Sequence, residues 1–174
     1  MNTVWFDITK NEIEVTEDKL QYVYLFVGKK GDSIKSHINF IHRNPNITSN
    51  ILIKAILFDN AKFDVFANLI IEKGAKEVDS YLKIEVLLMS ERASATAIPS
   101  LEITESSVKG GHGATIGPVD EEQLFYLQSR GINKDNAEKV LAEGFTQSIV
   151  DKFGESELPH ELKAELSKLS LSDI

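Results

Sequence analysis

Between residues 108 and 132 the chain reads VKGGHGATIGPVDEEQLFYLQSRGI. One imidazole, His112, sits between Gly111 and Gly113, just ahead of an acid-rich helix start. A glycine-dense segment before a helix suggests a phosphate cradle. That motif needs Gly-Lys-Ser/Thr, so that the lysine reaches the phosphates and the hydroxyl binds magnesium. Here Lys109 precedes the glycines. The dinucleotide fingerprint fails as well, because its spacing and a surrounding βαβ unit are both absent. The imidazole remains. Flanked by glycines it is uncrowded, and a free imidazole ligates iron or shuttles protons near neutral pH. A surface histidine in a turn is the plainer reading of the same residue.

Other candidate chemistry is sparse. His37 and His42 lie five apart in a strand-like segment, so they point to opposite faces and make no ready metal pair. His160 reads as an exposed residue in the first turn of a helix. Glu102, in PSLEI, is the one acid embedded in an apolar strand; buried it needs a partner, and facing outward it is ordinary. No Ser/His/Asp arrangement and no carboxylate pair can be argued, so no catalytic residue is assigned and a carbohydrate-cleaving reading lacks its acid pair. There is no cysteine, which excludes disulfides, thiolate ligands and thiol nucleophiles.

The elements that must position these residues divide in two. Up to about residue 104 the chain reads as strand after strand: TVWFDI, EIEVT, LQYVYLFVG, SIKSHINFIH, NILIKAILFD, FDVFANLIIE, VDSYLKIEVLLMS and ATAIPSLEIT. Turn residues break the run at Gly28 to Gly31, at NPN (44–46), at DN (59–60) and at KG (73–74). Phe63, Val65, Ala67 and Leu69 share one face; so do Leu82, Ile84, Val86 and Leu88, with Tyr81, Lys83 and Glu85 opposite. Many short strands mean a sandwich, a barrel or a β-helix. Scarce hairpin signals and corner-like turns lean toward stacked rungs, with the glycine segment as the turn out of the coil.

After Pro118 the pattern becomes helical. Asp120 reads as an N-cap with Glu121 and Glu122 against the helix dipole, Gln123 stands where a capping box needs it, and Gly131 suits a left-handed C′ position. A second helix follows Asn133, with an expected apolar stripe of Ala137, Val140, Leu141, Gly144 and Phe145 that Ile149 and Phe153 extend, and Gly144 permitting a close backbone approach. A third starts near Pro159 and lines up Leu158, Leu162, Leu166 and Leu169.

The chain has 174 residues and a formal charge of −8, with 42% hydrophobic residues. That suffices for a packed core and argues against nucleic-acid or anionic-membrane partners. From Asp120 onward twelve acids face six bases, so the helical part carries most of the excess and suits a basic partner surface. No signal peptide precedes the strands and no apolar run reaches the roughly 18 residues of a spanning helix. A soluble cytoplasmic protein is expected.

These residues resemble the SufB/SufD family of iron–sulfur cluster assembly proteins. The resemblance rests on PSLEI (99–103), Val108, HGATIG (112–117) and DEEQLFYLQSRGI (120–132), continued by Ala137, Leu141, Gly144 and Phe145. Upstream, HRNPNITSN with Lys54, Asp59, Phe66, Ala75 and LLMS (87–90) is similar to the family's strand region, giving a match over about residues 35 to 150. The resemblance implies a right-handed parallel β-helix, here short and without the family's N-terminal helical region, followed by a small helical domain. We therefore divide the chain at 1–117 and 118–174. It further implies a SufC-like ABC ATPase bound at the helical domain. A second SufB/SufD-type subunit, or a second copy of this chain, would pair through the β-helix, with a transient cluster forming at that junction.

Departures from the family pattern matter. Aligned on Leu87 to Ser90, Leu82 and Lys83 stand where SufB-type members have Gln and the thiol, Ile84 and Val86 replace polar residues, and Gly110 stands where SufD-type members often have cysteine. Any cluster would thus be shared with a partner and not held stably by this chain alone. His112, as a metal ligand, and Glu102 are the cluster-site candidates. Glu121, Glu122, Phe125, Tyr126 and Arg130 are the partner-contact candidates, since aromatics and Arg dominate binding hot spots. The function implied is a non-enzymatic scaffold or accessory subunit. The alternative is a degenerate interaction or regulatory module with no direct role in iron or sulfur handling.

Overall fold

The computed structural model describes residues 1–154 and 157–169. Nine strands come first: β1 (Asn2–Trp5), β2 (Glu12–Glu14), β3 (Leu20–Gly28), β4 (Ser33–His42), β5 (Thr48–Leu57), β6 (Lys62–Ile71), β7 (Asp79–Leu88), β8 (Ser94–Ile103) and β9 (Lys109–Pro118). Three helices follow, α1 (Glu121–Ser129), α2 (Lys134–Phe153) and α3 (His160–Ser167). Odd strands form one sheet in the order β1-β3-β5-β7-β9, even strands a second in the order β2-β4-β6-β8. Every pairing is parallel. Each strand therefore returns to its own sheet only after crossing the other, which gives a β-solenoid of about four turns and excludes an antiparallel sandwich.

Corners, not hairpins, carry the chain onward. Asn46 and Asp59 adopt left-handed conformations with φ of 59° and 52°, and Gly74 reaches 99°, at three of the four sequence breaks. Asn and Asp tolerate that region because their short polar side chains bond the local backbone.

The two sheets have different environments, and the sequence records it. The even sheet buries one face, and β6 alternates without a fault: Phe63, Val65, Ala67, Leu69 and Ile71 are fully buried, their neighbours half-buried or exposed. The odd sheet is covered on both faces near its centre, so β3 and β5 read as almost continuous apolar runs. Inside, Phe6 meets Phe40 edge-on at 5.2 Å and Phe26 stacks on Phe63 at 6.1 Å. Outside, Val23, Leu25, Val27, Leu52 and Ile56 pack against Ala142, Ile149, Phe153, Leu162 and Leu169 of the helical part.

The helix ends follow the sequence. Asp120 accepts hydrogen bonds from the Glu122 and Gln123 amides, Asn133 from the Asn136 amide, and Gly131 has φ of 89°. Two expectations fail in α2. Val140 is 47% exposed, and a Cβ built on Gly144 meets nothing within 4 Å. The buried residues of α2 are Ala137, Ala142, Thr146, Ile149 and Phe153: Ala137, Ile149 and Phe153 belong to the expected stripe, while Ala142 and Thr146 take the place of Val140 and Gly144 between them. Thr146 tolerates burial because its hydroxyl donates to the Glu143 carbonyl at 2.9 Å. Glu165 of α3 also serves the solenoid: it accepts the Val27 amide at 2.7 Å, on the half of β3 that short β1 leaves without a neighbour.

Candidate functional site

The glycine segment is not a turn. It is β9, ten residues paired in register with β7, the last strand of the odd sheet. Its glycines are required by what crosses them. A Cβ on Gly111 would lie 2.6 Å from Cδ2 of Tyr81, and one on Gly113 would lie 3.0 Å from the Tyr81 hydroxyl. A Cβ on Gly110 would lie 2.6 Å from Cδ1 of Ile103, which reaches over from β8. The tyrosine ring lies flat along the outer face of β9, and only a strand without side chains admits it. High turn propensity hid the strand, because glycine favours turns and normally weakens strands.

β8 and β9 make the final rung, and among the described residues each has a hydrogen-bonded neighbouring strand on one side only. The Lys109 and Val119 amides bond carbonyls of Val78 and Leu88. By alternation the even-numbered amides of β9, that of His112 among them, turn to the open side. On β8 the Ser94 and Thr104 amides bond back to Ala61 and Ile71, so the Pro99 nitrogen falls on the open side, where a missing donor disturbs no ladder. Side chains that would be core in an inner rung are uncovered here: Leu101 is 36% exposed, Ile103 38% and Ile116 41%.

His112 pairs with Leu82, a fully buried interior residue, so its imidazole takes the inward direction at the uncovered end. Glu102 pairs with Ile70 on the outer face of the even sheet and is exposed. The structure therefore puts both on the last rung but on different faces. Lys83, the position matched to the family thiol, also faces outward, 2.7 Å from Glu85. The inward positions beside His112 on β7 are Ser80, Leu82 and Ile84, all buried, of which only Ser80 is polar and its hydroxyl is paired with Ser49. Among the described residues no group of three His, Cys, Asp or Glu side chains could hold a metal ion.

Deeper along the solenoid a polar chain interrupts the apolar interior. His42 is fully buried. Its Nδ1 lies 3.4 Å from the Ile70 carbonyl oxygen and its Nε2 2.8 Å from the Ser49 hydroxyl, which lies 2.8 Å from that of Ser80. A carbonyl only accepts, so Nδ1 carries the proton, Nε2 accepts from Ser49 and Ser49 accepts from Ser80. Burial pushes the His42 pKa down to about 4, with the Ile70 carbonyl acting weakly the other way. Ser49, Ser80 and Gly110 occupy one column of the register.

The partner-contact candidates do gather. Glu121, Glu122, Phe125 and Tyr126 share one side of α1 with Ser129; Phe125 is 72% exposed and Tyr126 56%. The Arg130 guanidinium sits 5.2 Å from the Tyr126 ring centre. Leu124 and Leu127 are half-buried, so α1 turns its aliphatic side inward and its aromatics out.

Sequence reasoning gave Lys54 no role. It is 5% exposed on the outer face of β5. Its Nζ donates to the Phe145 carbonyl at 2.8 Å, lies 4.2 Å from the Phe145 ring centre and 3.1 Å from a Glu85 oxygen. The signal was present: a lone charge in the run ILIKAIL must either break the strand or find a partner.

Residues 9–145 match the family model described as SUF system FeS cluster assembly, SufBD core domain. The chain belongs to the SufB/SufD family. It is 42% identical over 83 residues to the iron–sulfur cluster assembly protein SufD of Bacillus subtilis, covering 48% of this chain and 19% of that protein. With a SufBD family protein of Staphylococcus saprophyticus the identity is 31% over 144 residues, 83% of this chain and 30% of the relative. With one from Mycobacterium tuberculosis it is 34% over 129 residues, 74% of this chain and 15% of the relative. The chain thus spans less than a third of these three relatives. The family is described by its part in iron–sulfur cluster assembly by the SUF system. Among the described residues no helix is long and apolar enough to cross a membrane.

Proposed function

We propose that this chain is a non-enzymatic scaffold or accessory subunit of cytoplasmic iron–sulfur cluster assembly. It pairs with a SufB/SufD-type subunit, or a second copy of itself, through the last rung, and it docks a SufC-like ABC ATPase on α1. The uncapped rung carries the reading. Two ten-residue edges present unpaired backbone groups beside Leu101, Ile103 and Ile116. A long apolar edge left open invites pairing with another strand. A partner edge satisfies the open amides of β9 and covers those side chains together.

The cluster is cargo at this junction. His112 offers one imidazole there, and Glu102 one carboxylate on the outer side of the same rung. The chain contains no cysteine, so thiolates come from the partner and no cluster is held stably by this chain alone. On α1 the exposed aromatics and Arg130 have hot-spot chemistry, and Glu121 and Glu122 suit a basic rim on the ATPase.

Two variants test the surfaces separately. Ile103→Lys with Ile116→Lys abolishes pairing by light scattering while leaving ATPase capture intact. Phe125→Ser with Tyr126→Ser does the reverse, weakening capture at least tenfold, since two hot-spot truncations cost about 2 kcal/mol or more together. If the parent chain and purified SufC-like ATPase fail to associate at micromolar concentration, the docking reading falls. The lack of any thiol favours a second reading, an interaction module that never touches iron or sulfur. Anaerobic reconstitution of the paired complex decides: His112→Ala lowers cluster yield under the first reading and leaves it unchanged under the second.

A further inference from the structure

A cleft lies where α2 overhangs the outer face of the odd sheet, one strand in from the open edge of β9. Its walls bring three ammonium groups, Lys54, Lys83 and Lys152, to one carboxylate, Glu85. That carboxylate is fully engaged, one oxygen 3.1 Å from Lys54 and the other 2.7 Å from Lys83. Two positive charges are left in excess, in a chain whose net charge is −8. The strain of this arrangement is visible at Lys54: burial first, and then repulsion from Lys83 and Lys152, disfavours its charged form, against the pull of Glu85.

Gln21 is an independent pointer. It lines the same cleft and is only 9% exposed. Among the described residues no hydrogen bond reaches its side-chain amide, and no buried side-chain polar atom is sealed away without a partner. The amide therefore opens onto the cleft with its donors unused. Asn50 stands in register beside it on β5 and adds a second amide to the same wall, one of whose N–H groups donates to the Met1 sulfur at 3.2 Å. A surplus of two positive charges with neutral donors beside them matches an anion that carries two charges and several acceptor oxygens.

We propose that this cleft binds a small dianionic oxyanion of the phosphate class, held by Lys83 and Lys152 with the Gln21 amide as a neutral donor. Every group named in the cleft belongs to this chain, so the isolated chain is the material for the test. Inorganic phosphate is titrated at constant ionic strength and followed by amide NMR. Saturable shifts centred on the side-chain amides of Gln21 and Asn50 are expected. Lys83→Gln and Lys152→Gln should each weaken binding roughly tenfold, as loss of a charge-assisted hydrogen bond does. Both lysines are chosen over buried Lys54 because Lys83 has a half-exposed side chain; urea midpoints confirm that the variants fold.

A phosphate monoester run in parallel separates the sources. Tighter binding than inorganic phosphate assigns the site to the terminal group of a larger phosphoryl compound; weaker binding assigns it to the free ion. Absence of saturation by about 10 mM phosphate, or a double variant that binds like the parent, overturns the proposal.

Discussion

Lowering the pH should unlock the polar chain inside the solenoid, and the cost follows from one residue. His42 has a pKa pushed down to about 4 in the folded protein and an ordinary value of 6.5. Between those values the unfolded chain binds the proton and the folded chain does not. Stability is therefore full above pH 6.5 and falls as the pH drops through the window toward 4. At about 1.4 kcal/mol per unit the complete window is worth roughly 3 kcal/mol, of which about 2 are gone by pH 5. That is a large share of the stability of a domain this size. Urea unfolding followed by far-UV circular dichroism at pH 7, 6 and 5 measures it. His42→Gln removes the titration and retains a side chain able to bond Ser49. The variant starts about 1–2 kcal/mol below the parent at pH 7, for imperfect replacement of buried hydrogen bonds, and the two converge by pH 5. A variant that loses as much stability as the parent between pH 7 and 5 would refute the assignment of the effect to His42.

Two further substitutions probe how the helices and corners are held. Lys54→Met removes the bond to the Phe145 carbonyl and one of the two cations on Glu85. It should cost about 1–3 kcal/mol in urea unfolding, less than a fully orphaned buried charge because Lys83 remains, and Glu85→Gln in that background should recover part of the loss. At Gly28 a Cβ would lie 2.8 Å from both the Ala61 Cβ and Cε1 of Phe26. Gly28→Ala should therefore lower stability by about 1–3 kcal/mol by overpacking, and a Gly28→Ala/Ala61→Gly pair that is no better than the single variant would contradict that cause.

The stacking of strands was legible because two kinds of evidence agreed. Faultless alternation in FDVFANLII announced a sheet with one wet face, and Asn46, Asp59 and Gly74 stood at corners where a left-handed residue turns the chain onward. Pattern alone left sandwich, barrel and coil open, since period two is common to all three. Parallel register is a long-range property: Ile51 sits beside Tyr22 and Leu82, some 30 residues away on either side, and nothing local states it. The α2 stripe held at Ala137, Ile149 and Phe153 but not at Val140, for a related reason. Periodicity identifies an apolar face, but which face docks depends on the shape of the sheet below, where Lys54 already claims the Phe145 carbonyl.

The site shows the opposite balance. His112, Phe125 and Tyr126 could be singled out as residue types, while the structure of the segment around His112 was misread, because glycine reports two things at once. In a turn it supplies a backbone conformation; in β9 it supplies an absence of side chain, across which Tyr81 lies. Nothing in VKGGHGATIG distinguishes these uses without the register to β7. The difference changes the chemistry. An imidazole on a turn moves freely and selects its own ligand, whereas His112 is fixed at one register position on an open edge, with its backbone amide directed outward. Whatever lies on that edge meets the imidazole at a set place in the rung. An exposed strand of this kind gains from a partner in proportion to how many of its groups the partner satisfies at once, and a second edge strand satisfies more of them than a loop or a small ligand does. The open edge around His112 therefore suits a macromolecular neighbour before it suits a metal, and under the proposed pairing the imidazole would contribute to a site that two chains complete.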